Sequence, residues 1–229
     1  MTLLLKAGPD GQSIGDCPFA QYIGMILNEK KLPYTTRPCT KDTKPSWLID
    51  HYEGKMPALR HRSECYVESD VIAEYLEFFF KEPSLTPSTS EQKKEFQQTK
   101  DITGAVFPAI AKYLKYTEDG DEKDSELKSN LREVLSTLET QLSSAERKGP
   151  FLVGDGEMIT TIDCSLAPKL FHMKVGIKNF KQTAPDSINL ESEFPALTSY
   201  MNTMFSRDSF KETLYPEETV VWGWSNARA

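Results

Sequence analysis

A short apolar run at residues 3–7, a loop rich in glycine, proline and aspartate at 8–15, and then Cys17-Pro18 at the head of a helical pattern confine the fold of this chain. The apolar run suits a buried strand. Beyond Pro18, Phe19, Ile23, Ile26 and Leu27 recur at helical spacing, and Lys30 and Lys31 close the last turn, where cations favour the helix dipole. Cys17 therefore sits at a helix amino terminus. Residues 34–38 read as a second strand, 45–51 as a second helix, 56–60 and 64–67 as a pair of strands, and 69–80 as a closing helix.

Strand, helix, strand, helix, strand, strand, helix within roughly eighty residues is the thioredoxin-like order, an α/β unit with helices flanking a central sheet. Residues 81–90, with Pro83, Pro87, Ser84, Ser88 and Ser90, read as a linker. Apolar periodicity then returns at 91–116, 125–146, 161–175 and 194–205 without strand alternation, so the second domain is expected to be all helical. The expected division is 1–82 and 91–229. The acidic stretch 117–125 reads as a solvated loop, and Thr160 with Asp163 as a capping box opening a helix.

A chain of 229 residues can bury two modest cores without disulfide staples. The net charge of −7, with basic residues scattered, argues against nucleic acid as a partner. Cys17, Cys39, Cys65 and Cys164 stand at wide, irregular intervals with no zinc spacing, so they read as reduced thiols and no metal is expected. The apolar run 22–27 is far short of a membrane span, and no secretory signal opens the chain. The expectation is a soluble protein without stable membrane association, cytoplasmic, or in an organelle stroma if a transit peptide has been removed.

Free amides and the dipole at a helix start favour an anion, which draws Cys17 toward the thiolate at neutral pH. The Gly/Asp loop and Pro18 favour this reactive reading over a buried structural thiol. Cys39, Cys65 and Cys164 lie in or beside apolar segments and read as structural. Ala20 occupies the position where a dithiol enzyme would carry its second cysteine, so a resolving thiol must come from outside, and glutathione is the obvious intracellular supply. Met56-Pro57 precedes a strand. A cis bond there would aim the Met56 main chain at an extended peptide, whereas a trans proline would simply start the strand. Around Ser69, amides and hydroxyl suit a carboxylate while Glu68 meets an amine; plain helix capping accounts for the same residues. Lys6 favours the thiolate. Asp16 opposes it and suits contact with a polyhydroxylated substrate, or loop capping.

Gly15-Asp16-Cys17-Pro18-Phe19 and Lys6-Ala7 resemble the active-site segment of plant-type dehydroascorbate reductases of the glutathione-transferase superfamily. Lys44-Pro45-Ser46-Trp47, Gly54-Lys55-Met56-Pro57, Ser69-Asp70-Val71-Ile72, residues 163–170 and the closing stretch from Phe205-Ser206 to Trp224 resemble that family in the same order. The resemblance implies a glutathione-transferase fold and reduction of dehydroascorbate by two glutathiones as co-substrate; a monomer is expected. It implies Cys17 as redox nucleophile, Lys6 and Asp16 at the ascorbate site, and Lys44, Met56, Pro57, Glu68 and Ser69 around glutathione. His172 matches a family histidine whose role is structural or at the substrate cleft. Ala20, Tyr22 and Glu68 depart from the family's frequent serine, arginine and aspartate. The opening also resembles the intracellular chloride channel family, which shares the fold and a Cys-Pro-Phe segment. Here, however, Asn28-Glu29-Lys30-Lys31 interrupts the apolar helix too early to cross lipid. A non-enzymatic binding module of the same fold would discard the thiol, and Cys17 is present.

Overall fold

The computed structural model describes residues 1–182 and 186–229. Its first domain is a four-stranded sheet in the order β2-β1-β3-β4. β1 (Thr2–Lys6) runs parallel to β2 (Thr35–Cys39) and antiparallel to β3 (Ala58–His61), which pairs antiparallel with β4 (Glu64–Val67). Alternation along β1 sends Leu3 and Leu5 into the main core with Ile23 and Leu27 of α1 (Pro18–Glu29), and Leu4 to the opposite face with Leu48 of α2 (Ser46–Tyr52). Both faces of this strand are covered, which is why it reads as unbroken apolar sequence. α3 (Ser69–Phe79) packs beside α1.

The second domain is helical: α4 (Ser90–Gly104), α5 (Val106–Lys115), α6 (Glu122–Leu142), α7 (Thr161–Phe180), α8 (Leu190–Glu193), α9 (Pro195–Ser206), α10 (Asp208–Lys211) and α11 (Glu217–Arg228). α7 is its axis, packed against α1, α4, α5, α9 and α11. The expected capping box opens it: Asp163 accepts from the Thr160 amide at 2.8 Å, from the Leu152 amide at 3.1 Å and from the buried Tyr200 hydroxyl at 3.1 Å.

Three expectations are corrected. The segment 91–116 is two helices because Pro108 has no N–H for the Gly104 carbonyl, so the helical ladder breaks there. The acidic stretch is not merely a solvated loop: Asp124 is fully buried, and the Nζ of buried Lys181 meets it at 2.7 Å and Asp119 at 2.5 Å. Lys30 is not a solvated dipole cap. Its buried ammonium donates to the carbonyls of Phe80 at 2.6 Å and Pro83 at 2.8 Å and pairs with Glu77 at 2.8 Å, tying the end of α1 to the segment between the domains.

Candidate active site

The loop after β1 is shaped to return the chain over the strand end. Asp10 accepts from the amides of Gln12 and Ser13 at 2.9 and 2.8 Å, and the Gly15 amide donates to the Lys6 carbonyl at 2.8 Å. A Cβ on Gly15 would lie 2.6 Å from the carbonyl oxygens of Lys6 and Ala7, so only glycine allows this approach. Asp16 and Cys17 thereby arrive beside Lys6. The Lys6 ammonium meets the Asp16 carboxylate at 2.8 Å and lies 5.0 Å from the centre of the Trp222 ring.

Cys17 is half-buried and is the N-cap of α1, with Pro18 in the first turn. Burial pushes its thiol above the ordinary value; the amides of Ala20 and Phe19 pull it down, Asp16 adds to the rise, and Lys6 opposes it. The expected thiolate is corrected accordingly. The helix start acts in the anticipated direction, but the loss of water around the sulfur outweighs it.

Beneath Asp16 lies His172, buried, its Nε2 2.9 Å from the Tyr215 hydroxyl. Burial pushes the imidazole down to about 4, against the pull of the Asp16 carboxylate and main chain. The ring is therefore neutral near pH 7. Among the described residues its Nδ1 makes no hydrogen bond of ordinary geometry, although the Asp16 main chain is near enough to favour the protonated ring. Phe107 and Trp224 flank the ring with centroids 6.1 and 5.9 Å away.

The remaining candidates gather at the same end of the sheet, and the strand register explains why. Ala58 pairs with Val67 and with Leu4, so Met56-Pro57 just ahead of β3 faces Glu68-Ser69 on one side and the end of β1 on the other. The Met56–Pro57 bond is cis. Glu68 takes a φ of 67°, uncommon for a residue with a Cβ, as the chain turns from β4 into α3, and its exposed carboxylate lies 3.4 Å from Lys55. Lys44, on the loop leaving β2, donates to the Gly54 carbonyl at 2.7 Å. The eight candidates thus form two neighbouring groups, Lys6, Asp16 and Cys17 beside Met56, Pro57, Glu68, Ser69 and Lys44.

Sequence reasoning missed the cover over the first group. α11 presents Trp222, Gly223 and Trp224, and a Cβ at Gly223 would lie 1.6 Å from Asp16 Oδ2. The signal was there: Pro216, Glu217 and Glu218 mark a helix start, and Val220 and Trp224 lie four residues apart on one buried face.

All four cysteines are free, and Cys39 and Cys164 are buried away from solvent. Chemically, the site offers one thiol, a cation–carboxylate pair beside it, and an edge for an extended peptide ending at a helix start. A small mixed sheet of this order, with such a thiol and an all-helical second domain, is the architecture of a glutathione transferase of the cysteine-bearing kind.

The comparisons agree. Residues 13–84 match the glutathione S-transferase N-terminal domain and residues 125–203 the glutathione S-transferase C-terminal domain. Glutathione S-transferase DHAR2 of Arabidopsis thaliana is 35% identical over 216 residues, covering 93% of this chain and 91% of that one. The chloroplastic glutathione S-transferase DHAR3 of the same plant is 33% identical over 213 residues, covering 92% and 74%. The crystal structure of Chlamydomonas reinhardtii dehydroascorbate reductase superposes with a TM-score of 0.79 at 28% identity, covering 99% of this chain and 97% of that one. The chain belongs to the glutathione S-transferase family, in company with its dehydroascorbate reductases.

Proposed function

We propose that this protein reduces dehydroascorbate to ascorbate at the expense of two glutathiones, with Cys17 as the redox thiol. The observation that carries this reading is the solitary thiol at the start of α1, beside the Lys6–Asp16 pair and without a second cysteine at position 20. The Cys17 thiol and one water pass two electrons and two protons to dehydroascorbate; ascorbate leaves and Cys17 holds a sulfenic acid. A first glutathione condenses with it, expelling water and leaving a mixed disulfide. A second attacks the glutathione sulfur, glutathione disulfide departs, and the electron pair returns to Cys17.

Lys6 and Asp16 contact the oxygens of dehydroascorbate. Residues 1–82 hold glutathione: the Met56 main chain pairs with it as an added strand, Glu68 meets its amine, the Ser69 hydroxyl and the first amides of α3 meet a carboxylate, and Lys44 and Pro57 line the site. Residues 91–229 supply the cover. The protein works as a monomer in a reducing compartment, the cytoplasm or an organelle stroma; relatives carry both cytosolic and chloroplastic names. A membrane-inserting role is not favoured: among the described residues no helix is long and apolar enough to cross a membrane, and α1 has 12 residues.

The decisive assay is dehydroascorbate-dependent oxidation of glutathione by purified protein. Initial rates against either substrate are expected to give parallel lines, because ascorbate leaves before glutathione enters. Absent turnover, or lines that intersect, would refute the scheme.

Asp16→Asn separates thiol activation from substrate contact. The Asp16 charge raises the Cys17 thiol, so its removal enlarges the thiolate fraction at any pH below the thiol's value. Alkylation by iodoacetamide at pH 7 should speed up while dehydroascorbate turnover falls. Parallel loss of both would make Asp16 an activator and contradict its assignment to the substrate.

A further inference from the structure

Beside the two groups at the sheet end lies a third feature that the proposed reaction has not used. A cleft of about 340 Å³ opens between α3, α4 and α7, with Tyr22 of α1 in its wall. It borders both parts of the site: Asp70 follows Ser69 at the start of α3, and Lys169 of α7 has its ammonium 5.6 Å from the Phe19 ring, two residues from Cys17.

The charges in this cleft are arranged unusually. Lys169 donates to Ser165 Oγ at 2.8 Å and has no carboxylate within ion-pair distance among the described residues. Burial pushes its ammonium down to about 8, with Asp70 the chief opposing influence, so an arriving anion would relieve it. Across the cleft stand the carboxylates of Asp70 and Glu74; a third, Glu77, is already held by the buried Lys30 at 2.8 Å. Among the described residues Asp70 pairs with Lys100 alone, at 3.3 Å, an exposed and therefore exchangeable pair. One unpaired cation facing two carboxylates is complementary to a group carrying both charges on one carbon, the α-amino carboxylate.

The geometry points to this cleft as the seat of the second, resolving glutathione, whose γ-glutamyl carboxylate meets Lys169 and whose ammonium meets Asp70 and Glu74. The inference rests on the function proposed above, which requires two glutathiones in succession. The first occupies the edge at Met56 and Glu68 and remains bound there as the mixed disulfide, so the second needs a neighbouring seat. A tripeptide extends roughly 10 Å, enough to lead from Lys169 past Phe19 toward residue 17. The incoming thiol loses its proton to water and attacks the glutathione sulfur of the mixed disulfide. A new glutathione–glutathione S–S bond forms, the bond to Cys17 Sγ breaks, and its electron pair leaves Cys17 as thiolate.

The test begins from mixed disulfide prepared with excess glutathione disulfide, so it needs no dehydroascorbate activity. Its discharge is followed by rapid quench and mass spectrometry, with glutathione or cysteinylglycine, which lacks the γ-glutamyl group, as incoming thiol. The native protein should discharge faster with glutathione than with cysteinylglycine. Lys169→Met should slow discharge by glutathione about tenfold, leave discharge by cysteinylglycine unchanged, and so erase the preference, while Lys169→Arg restores it. Equal loss with both thiols would make Lys169 structural and overturn the assignment, as would no loss with either. If Cys17 takes up no glutathione at all, the proposed thiol chemistry falls and the resolving seat with it. Normal uptake with no preference between the two thiols rejects the seat alone.

Discussion

Cys17→Ser is expected to lower dehydroascorbate turnover at least about a thousandfold, the scale seen when a covalent nucleophile is removed. The substitution is clean structurally. Cys17 makes no side-chain capping bond, and serine is a preferred N-cap, so α1 should form at least as well as before. What is lost is the sulfur, which alone can pass through sulfenic acid and disulfide. Single serine replacements of Cys39, Cys65 and Cys164 are expected to retain most of the turnover per folded molecule. The penalty at Cys164 should appear elsewhere: it is fully buried in α7, and a hydroxyl there without a partner costs about 1–3 kcal/mol. Glutathione-oxidation assays paired with thermal melts separate the two effects. Comparable loss of turnover at any of the other three cysteines, with an unchanged melt, would end the single-thiol account.

What made the site readable beforehand was local. The apolar run of β1, the glycine-rich return loop and Cys17-Pro18 are contiguous, and each names its own geometry: buried strand, tight return, helix start. Met56-Pro57 and Glu68-Ser69 could be singled out for the same reason, as a strand start and a helix start. Their meeting at one end of the sheet follows from the antiparallel register of β3 with β1 and β4, which the order of elements implies but does not state.

The rest depends on contacts distant in sequence. Lys30 has the look of a surface lysine at the end of a helix, and only the approach of Phe80, Pro83 and Glu77 buries it. Asp119 and Asp124 look solvated until Lys181, from the end of α7, is placed against them. The thiol of Cys17 was misjudged on the same ground. A helix start is visible in sequence, whereas the packing that removes water from the sulfur is not, and here burial is the larger influence. α11 is the most consequential omission because its Trp222-Gly223-Trp224 run forms a wall against the Lys6–Asp16 pair.

That wall gives the second large expected effect, at a residue with no chemistry of its own. Gly223→Ala would place a methyl group 1.6 Å from Asp16 Oδ2 and 2.6 Å from its Cγ, distances no packing can sustain. Either α11 lifts or the Asp16 carboxylate swings away, and each breaks the 2.8 Å contact with Lys6 or the 5.0 Å approach of Lys6 to Trp222. Dehydroascorbate turnover is expected to fall about a hundredfold, as when a misplacement on the ångström scale spoils the alignment of reacting groups. Overpacking should cost about 1–3 kcal/mol of stability. The double variant with Asp16→Ala tells the mechanism apart from general damage. Removing the carboxylate removes the collision, so Gly223→Ala should cost much less stability in the Asp16→Ala background than in the native one, while turnover stays at the level of Asp16→Ala alone. If Gly223→Ala destabilised both backgrounds equally, the glycine would serve α11 itself rather than the approach of Asp16. If it left turnover untouched, the Lys6–Asp16 pair would not be where the substrate is held.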